Sequence, residues 1–120
     1  MIVDSALIIK KVAKIIFEKK GLNVMALDVR GICNITDFFI IAEGSADRHV
    51  QAIAQAIVDE MSLIGIKPQH IEGKDIGEWI VLDFFDFIVH LFKPGIRDYY
   101  RIEELWKTAP IVPLELKVET

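Results

Sequence analysis

Residues 78–92 read Glu78-Trp79-Ile80-Val81-Leu82-Asp83-Phe84-Phe85-Asp86-Phe87-Ile88-Val89-His90-Leu91-Phe92. Glu78 to Asp83 and Asp86 to Phe92 have the β-branched and aromatic content of strands, and Phe84-Phe85 joins them as a hairpin. Successive side chains of a strand point to opposite faces. In the second strand Phe87, Val89 and Leu91 share one face while Ile88, His90 and Phe92 share the other, so both faces are apolar. Such a strand needs cover on both sides, which helices or a partner must supply.

Working outward, His70 to Gly73 reads as a short strand ahead of the hairpin. Before it, Gly44-Ser45-Ala46-Asp47 opens the clearest helix of the chain. Its stripe is Val50, Ile53, Ala54, Ile57, Met61 and Ile64, and it ends at Gly65 with Pro68 beyond. Ser45 is suited to capping the first amides and Asp47 to the positive helix end. Val24 to Val29 and Thr36 to Ala42 form a further hairpin across Arg30, Gly31, Cys33 and Asn34.

At the start, Val3 to Lys20 carries an apolar helical stripe, with Asp4, Lys11, Lys14 and Glu18 opposite, and Gly21 is expected to take the left-handed conformation that stops it. After the quoted stretch, a third helix is expected from about Ile96 to Lys107, with Tyr99, Tyr100, Ile102, Leu105 and Trp106 on or near one face. Pro110 and Pro113 end regular helix there. Leu114 to Thr120 alternates apolar and charged residues and fits either an added edge strand or a mobile tail. The order helix, strands, helix, strands, helix predicts a single α/β domain with a mixed sheet flanked by helices. That domain is expected over residues 1–109, with 110–120 as a C-terminal tail.

A chain of 120 residues suits one core, and 52% hydrophobic content without low-complexity tracts excludes a disordered chain. The formal charge of −4 disfavours phosphate-driven binding, so naked nucleic acid is not the expected ligand and no direct sequence-specific nucleic-acid binding is expected. A basic protein partner suits this charge better. The run from Trp79 to Phe92 is too short to span a bilayer, and the lysine-interrupted N-terminus lacks the apolar stretch of a signal peptide. No membrane association is expected, and the cytoplasm is the expected location. Cys33 is the only cysteine, so no internal disulfide forms.

The candidates for chemistry each have a bland counterpart. Gly44-Ser45 before a helix is where nucleotidyltransferases hold phosphate, but no Asp-x-Asp or Asp-x-Glu follows between Val50 and Asp86 to hold magnesium. Helix capping is the simpler use. Asp83 and Asp86 flank a turn, where the options are turn chemistry, a cation, or a surface that meets basic residues. His49, His70 and His90 lie in different elements at no ligand spacing and make no zinc site. His90 fits a hydrogen-bonded structural histidine or an interface residue. The aromatics Trp79, Phe92, Tyr99, Tyr100 and Trp106 are more often core than interface anchors, but Trp79 lies close to Glu72, Gly73 and Gly77, near a loop and an edge, which adds weight to a contact role for it. Cys33 has no neighbouring pattern for nucleophilic catalysis and is assigned no role.

Leu27-Asp28-Val29, Ile35-Thr36-Asp37-Phe38-Phe39, Asp47-Arg48-His49-Val50, Glu72-Gly73, Trp79, Leu82-Asp83, Asp86, Val89-His90-Leu91-Phe92, Arg97, Tyr100, Glu103 and Leu105-Trp106 stand in an order and spacing that resembles the Iojap-like ribosomal silencing factors. The resemblance runs from Asp28 to Trp106 and rests on the ordered set. It implies a nucleotidyltransferase-like α/β fold without the catalytic carboxylates, no enzymatic activity and no cofactor. It also implies a translational repressor that binds the large ribosomal subunit through its universal ribosomal protein fourteen and sterically blocks joining of the small subunit. The partner-binding residues implied are Glu72, Trp79, Asp83, Asp86, His90 and Tyr100. The chain departs from the family pattern at Phe85, where glycine is usual, so the turn is expected either to change type or to expose this ring to a partner. The alternatives are a nucleotidyltransferase-like nucleotide-binding enzyme using Gly44-Ser45, and a homodimeric scaffold that self-associates through exposed sheet or aromatic area.

Overall fold

The computed structural model describes residues 5–96, 107 and 109–114. Along the chain these form α1 (Ser5–Glu18), β1 (Leu22–Asp28), β2 (Phe38–Glu43), α2 (Asp47–Leu63), β3 (His70–Glu72), β4 (Trp79–Asp83) and β5 (Phe87–Phe92). The strands make one sheet in the order β1-β2-β5-β4-β3. All neighbours are antiparallel except the central pair, β2 and β5, which run parallel. Parallel strands need a crossover, and α2 lies within this one. The expected mixed α/β sheet with helices packed on it is present, as are both hairpins. The expected third helix from Ile96 to Lys107, and with it Tyr100, falls on residues 97–106, outside the described residues. Residues 115–120 of the tail fall outside them as well.

All residues of β5 are buried, as a central strand with two apolar faces requires. One face of the sheet is covered by α1 and α2, whose Ile9, Val12, Ile16, Val50, Ile53 and Ile57 are fully buried against Ile40, Ile80, Leu82 and Leu91. Each such side chain contributes roughly 1.5–3 kcal/mol of burial free energy. On the other face Leu27, Val29, Phe39, Ile41, Ile88 and Phe92 make a second apolar layer with Ala109. Beside β1, the Asp28 amide donates to the Pro110 carbonyl and the Val112 amide to the Ala26 carbonyl, both at 2.9 Å. Residues 110–112 thus cover the free edge of β1 and remove a row of open backbone groups. Among the described residues no helix is long and apolar enough to cross a membrane.

The ends of both helices depart from the simplest sequence reading. α1 does close in a left-handed residue, but that residue is Lys20, at φ 67°, and not Gly21. The Gly21 amide reaches back to the Ile16 carbonyl at 2.8 Å and the Lys20 amide to that of Phe17 at 3.0 Å, which is the Schellman pattern with Lys20 at its left-handed position. Glycine is required one residue later for space, because a Cβ at Gly21 would lie 2.3 Å from the Ile16 Cγ2 and 2.9 Å from its carbonyl oxygen. Gly21→Ala is therefore expected to destabilise the fold by about 2 kcal/mol through overpacking, read as a lower urea midpoint with an unchanged slope. At the other helix the cap position is Ala46 and no side chain caps it. Ser45, expected to do so, is turned toward His49 instead. At its C-terminal end α2 closes as expected, with Gly65 at φ 80°.

Candidate functional site

The face of the sheet away from α1 and α2 gathers the residues singled out in the sequence. In β4, Ile80 and Leu82 point into the helix-covered core, which puts Trp79, Val81 and Asp83 on the opposite face. Register then fixes who stands beside whom. Glu72 pairs with Val81 and Val81 with His90, forming one row across the sheet. His70, Asp83 and Ile88 form the next row, and Trp79 lies opposite Phe92. Four strand positions spread over 19 residues of sequence, Glu72, Trp79, Asp83 and His90, are brought to one face in this way.

Trp79, at the start of β4, and His90, in the middle of β5, meet on that face. The indole Nε1 donates to His90 Nδ1 at 3.2 Å. Neutral imidazole with Nδ1 accepting carries its proton on Nε2. His90 is only 9% exposed, and burial pushes its pKa down to about 4, so it stays uncharged and able to accept this bond at neutral pH. Phe39 meets the imidazole edge-on with centroids 5.2 Å apart, and Phe92 packs against the Trp79 ring at 5.2 Å. The half-buried indole is thus held by the His90 acceptor and by the Phe92 ring, which fix its orientation.

The margins of the face are acidic. Glu72 lies on the short edge strand β3, exposed, with an oxygen 2.8 Å from His70 Nε2. Asp83 accepts from the Phe85 amide at 2.8 Å and from Gln69 Nε2 at 3.1 Å. Asp86 is exposed in the turn, and its carbonyl accepts from the Asp37 amide at 3.1 Å. Between these acidic groups Phe85 is 65% exposed and has φ 77°. The Asp86 amide closes a tight bond to the Phe84 carbonyl at 3.0 Å around it. Glycine is the ordinary occupant of a positive-φ position in so short a hairpin loop. A Cβ there costs about 1–2 kcal/mol. The turn keeps a positive φ at this position at a steric cost, and of the two expectations raised by Phe85 the one seen is exposure of its ring.

The phosphate alternative at Gly44-Ser45 finds its amides already engaged. The Gly44 amide donates to the Phe92 carbonyl and the Ser45 amide to His49 Nδ1, each at 2.8 Å. His49 Nε2 in turn lies 2.7 Å from the Lys19 carbonyl, so this histidine ties the start of α2 to the end of α1. Gly44 itself is needed for close packing, since a Cβ would meet the Val50 amide nitrogen at 2.8 Å. Among the described residues no group of three or more histidine, cysteine, aspartate or glutamate side chains is placed to hold a metal ion.

A family model described as "Ribosomal silencing factor during starvation" matches residues 3–120. The chain belongs to this ribosomal silencing factor family. It is similar to the ribosomal silencing factor RsfS of Bacillus subtilis, with 38% identity over 108 residues that span 90% of this chain and 92% of the relative. The corresponding protein of Halalkalibacterium halodurans is 40% identical over 98 residues, 82% of this chain and 84% of its own. A crystal structure of a Chromobacterium violaceum protein superposes with a TM-score of 0.85 at 28% identity, covering 96% of this chain and 95% of that one.

For this family member, four of the residues read from the sequence, Glu72, Trp79, Asp83 and His90, share one face, and Asp86 stands at its end. Tyr100 lies outside the described residues. His70, two residues from Glu72, stands on the same side of β3 and so joins this face. The Trp79 to His90 bond was not visible in sequence, because it depends on the register of β4 against β5.

Proposed function

We propose that the chain represses translation by docking this face on universal ribosomal protein fourteen of the large ribosomal subunit, where it sterically blocks joining of the small subunit. The observation that carries the reading is Trp79, a large ring held in place on a sheet face with acidic margins. In this account Trp79 is the central anchor, and Glu72, Asp83 and Asp86 meet basic side chains and speed encounter. Buried His90 acts through the indole that it holds, and Tyr100 adds to the same contact. Family membership and the net charge of −4 support a basic ribosomal partner over naked nucleic acid. The same reading takes residues 1–109 as the silencing domain, with 110–120 as a tail whose first residues lie along β1. It also takes the fold as nucleotidyltransferase-like without catalytic carboxylates, and the site of action as the cytoplasm.

Light scattering of purified subunits during reassociation tests this directly. Incubating the chain with large subunits beforehand is expected to lower the yield of joined ribosomes, and incubating it with small subunits alone first is not. Undiminished joining at saturating chain would remove the occlusion mechanism. Scattering of the chain alone at several concentrations reveals whether the same apolar area is used for self-association instead.

A further inference from the structure

We propose that Phe85 is a second anchor in its own right: its exposed ring, in a turn flanked by Asp83 and Asp86, seats an arginine side chain of the basic protein surface on which the sheet face docks. The inference rests on the proposed docking of that face. Phe85 occupies φ 77°, a conformation that an L residue adopts at a cost, and its ring is 65% exposed, so little of that cost is returned by burial within the chain. The fold does not need a ring at this position.

What surrounds the ring defines the ligand. Asp83 Oδ1 lies 2.8 Å from the Phe85 amide, and Asp86 follows the ring in the chain and is exposed, so two acidic residues flank Phe85 in the turn. Ile32 and Ile35, both exposed, lie in the β1–β2 loop at the same end of the sheet. An apolar partner pocket would strip water from the carboxylates without pairing them. A guanidinium stacks on the ring face while its N–H fork meets a carboxylate, and it is more weakly hydrated than an ammonium, so arginine fits better than lysine. This chain already displays the arrangement internally. The Arg30 guanidinium carbon sits 5.0 Å from the Phe38 ring centre while Nη2 and Nε bond the Asp28 carboxylate at 2.7 and 3.0 Å. At the β4–β5 turn the ring and the carboxylates belong to this chain and the cation comes from the partner. Phe85 lies six residues beyond Trp79 in sequence, about 20 Å at roughly 3.3 Å per residue, a span that one protein interface covers.

The test measures the affinity of the wild type, Phe85→Gly, Phe85→Leu and Phe85→Trp for purified large ribosomal subunits, with urea unfolding of each. Phe85→Gly is expected to unfold at an equal or higher urea concentration than the wild type and to bind about tenfold more weakly. Phe85→Leu, which keeps an apolar side chain without a π face, should also weaken binding about tenfold, and Phe85→Trp should retain it. Wild-type affinity in Phe85→Gly would overturn the anchor, and wild-type affinity in Phe85→Leu would overturn the arginine seat. A lower urea midpoint for Phe85→Gly would show that the ring serves the fold, and would overturn the proposal too. If the wild type itself fails to bind, the docking reading falls; if it binds and Phe85→Gly binds equally well, only this inference does.

Discussion

Trp79→Ala is expected to weaken binding to the large ribosomal subunit by about 2–4 kcal/mol, roughly 30-fold to 1000-fold. The size follows from what the indole presents. A tryptophan fixed by a hydrogen bond from Nε1 to His90 and by contact with Phe92 meets a partner with its rotamer already chosen. Most of its buried area therefore appears as affinity, with little offset from ordering. Truncation also leaves His90 Nδ1 without its donor, so the variant should be compared at a temperature where urea unfolding shows it folded. Trp79→Phe separates the two contributions, because it keeps a ring and loses the N–H. Lys14→Ala is the reference variant. Lys14 is exposed on α1, 3.9 Å from Glu18, and α1 packs on the other side of the sheet. Its affinity should stay within about twofold of the wild type, as expected of a surface charge outside the contact. Equal affinities for the Trp79 and Lys14 variants would remove Trp79 as the anchor.

Acidification is expected to destabilise the fold by about 3 kcal/mol through His90 alone as the pH falls from 7 to 4. In the unfolded chain the imidazole takes up a proton near its ordinary value of 6.5, while in the folded protein burial holds it to about 4. Between these values the unfolded state binds the proton and the folded state does not, so stability falls with pH in that window. The contribution is complete above pH 6.5 and lost by about pH 4. Carboxylates also titrate toward the acid end, and a His90→Gln variant removes their share from the comparison. Urea unfolding free energies of the wild type should fall by about 3 kcal/mol more than those of the variant across the window. Parallel pH profiles would show that His90 is protonated in the folded protein. The same proton would occupy the Nδ1 lone pair that accepts from Trp79, so loss of subunit binding should track the titration of His90.

The elements were legible in the sequence wherever burial acts on a repeating pattern. The two-sided apolar run from Phe87 to Phe92 read as a strand that needs cover on both faces, and the stripe from Val50 to Met61 as a helix, and both are found. Strand order was not legible. Nothing in Phe38–Glu43 or Phe87–Phe92 alone says that these strands lie side by side in parallel. Helix ends were legible when set locally, as at Gly65. They were not when tertiary contact decided, as at Gly21, whose missing side chain makes room for Ile16 while Lys20 takes the left-handed turn. Ser45 looked like a cap because its type and position allow it. His49 competes for its amide and hydroxyl and reaches across to the end of α1, which a local reading does not register.

For the site, alternation within β4 was enough to put Trp79 and Asp83 on one side of the sheet. Their alignment with Glu72 and His90 required the register across β3, β4 and β5. The choice for His90 between a structural and an interface residue also had to await the fold. Its burial makes it a support for Trp79, and in the proposed docking it would act through the indole. Phe85 stood out through the resemblance, as a bulky residue where the family pattern has glycine, and the structure places it at positive φ.

The central claim is that this chain is a steric silencer that sits on the large ribosomal subunit. Sedimentation through a sucrose gradient with isolated subunits, at a salt concentration near physiological, tests it most directly. The chain should travel with the large subunit alone, and small subunits added afterwards should remain unjoined. Travel with the small subunit, with neither, or with fully joined ribosomes would contradict it.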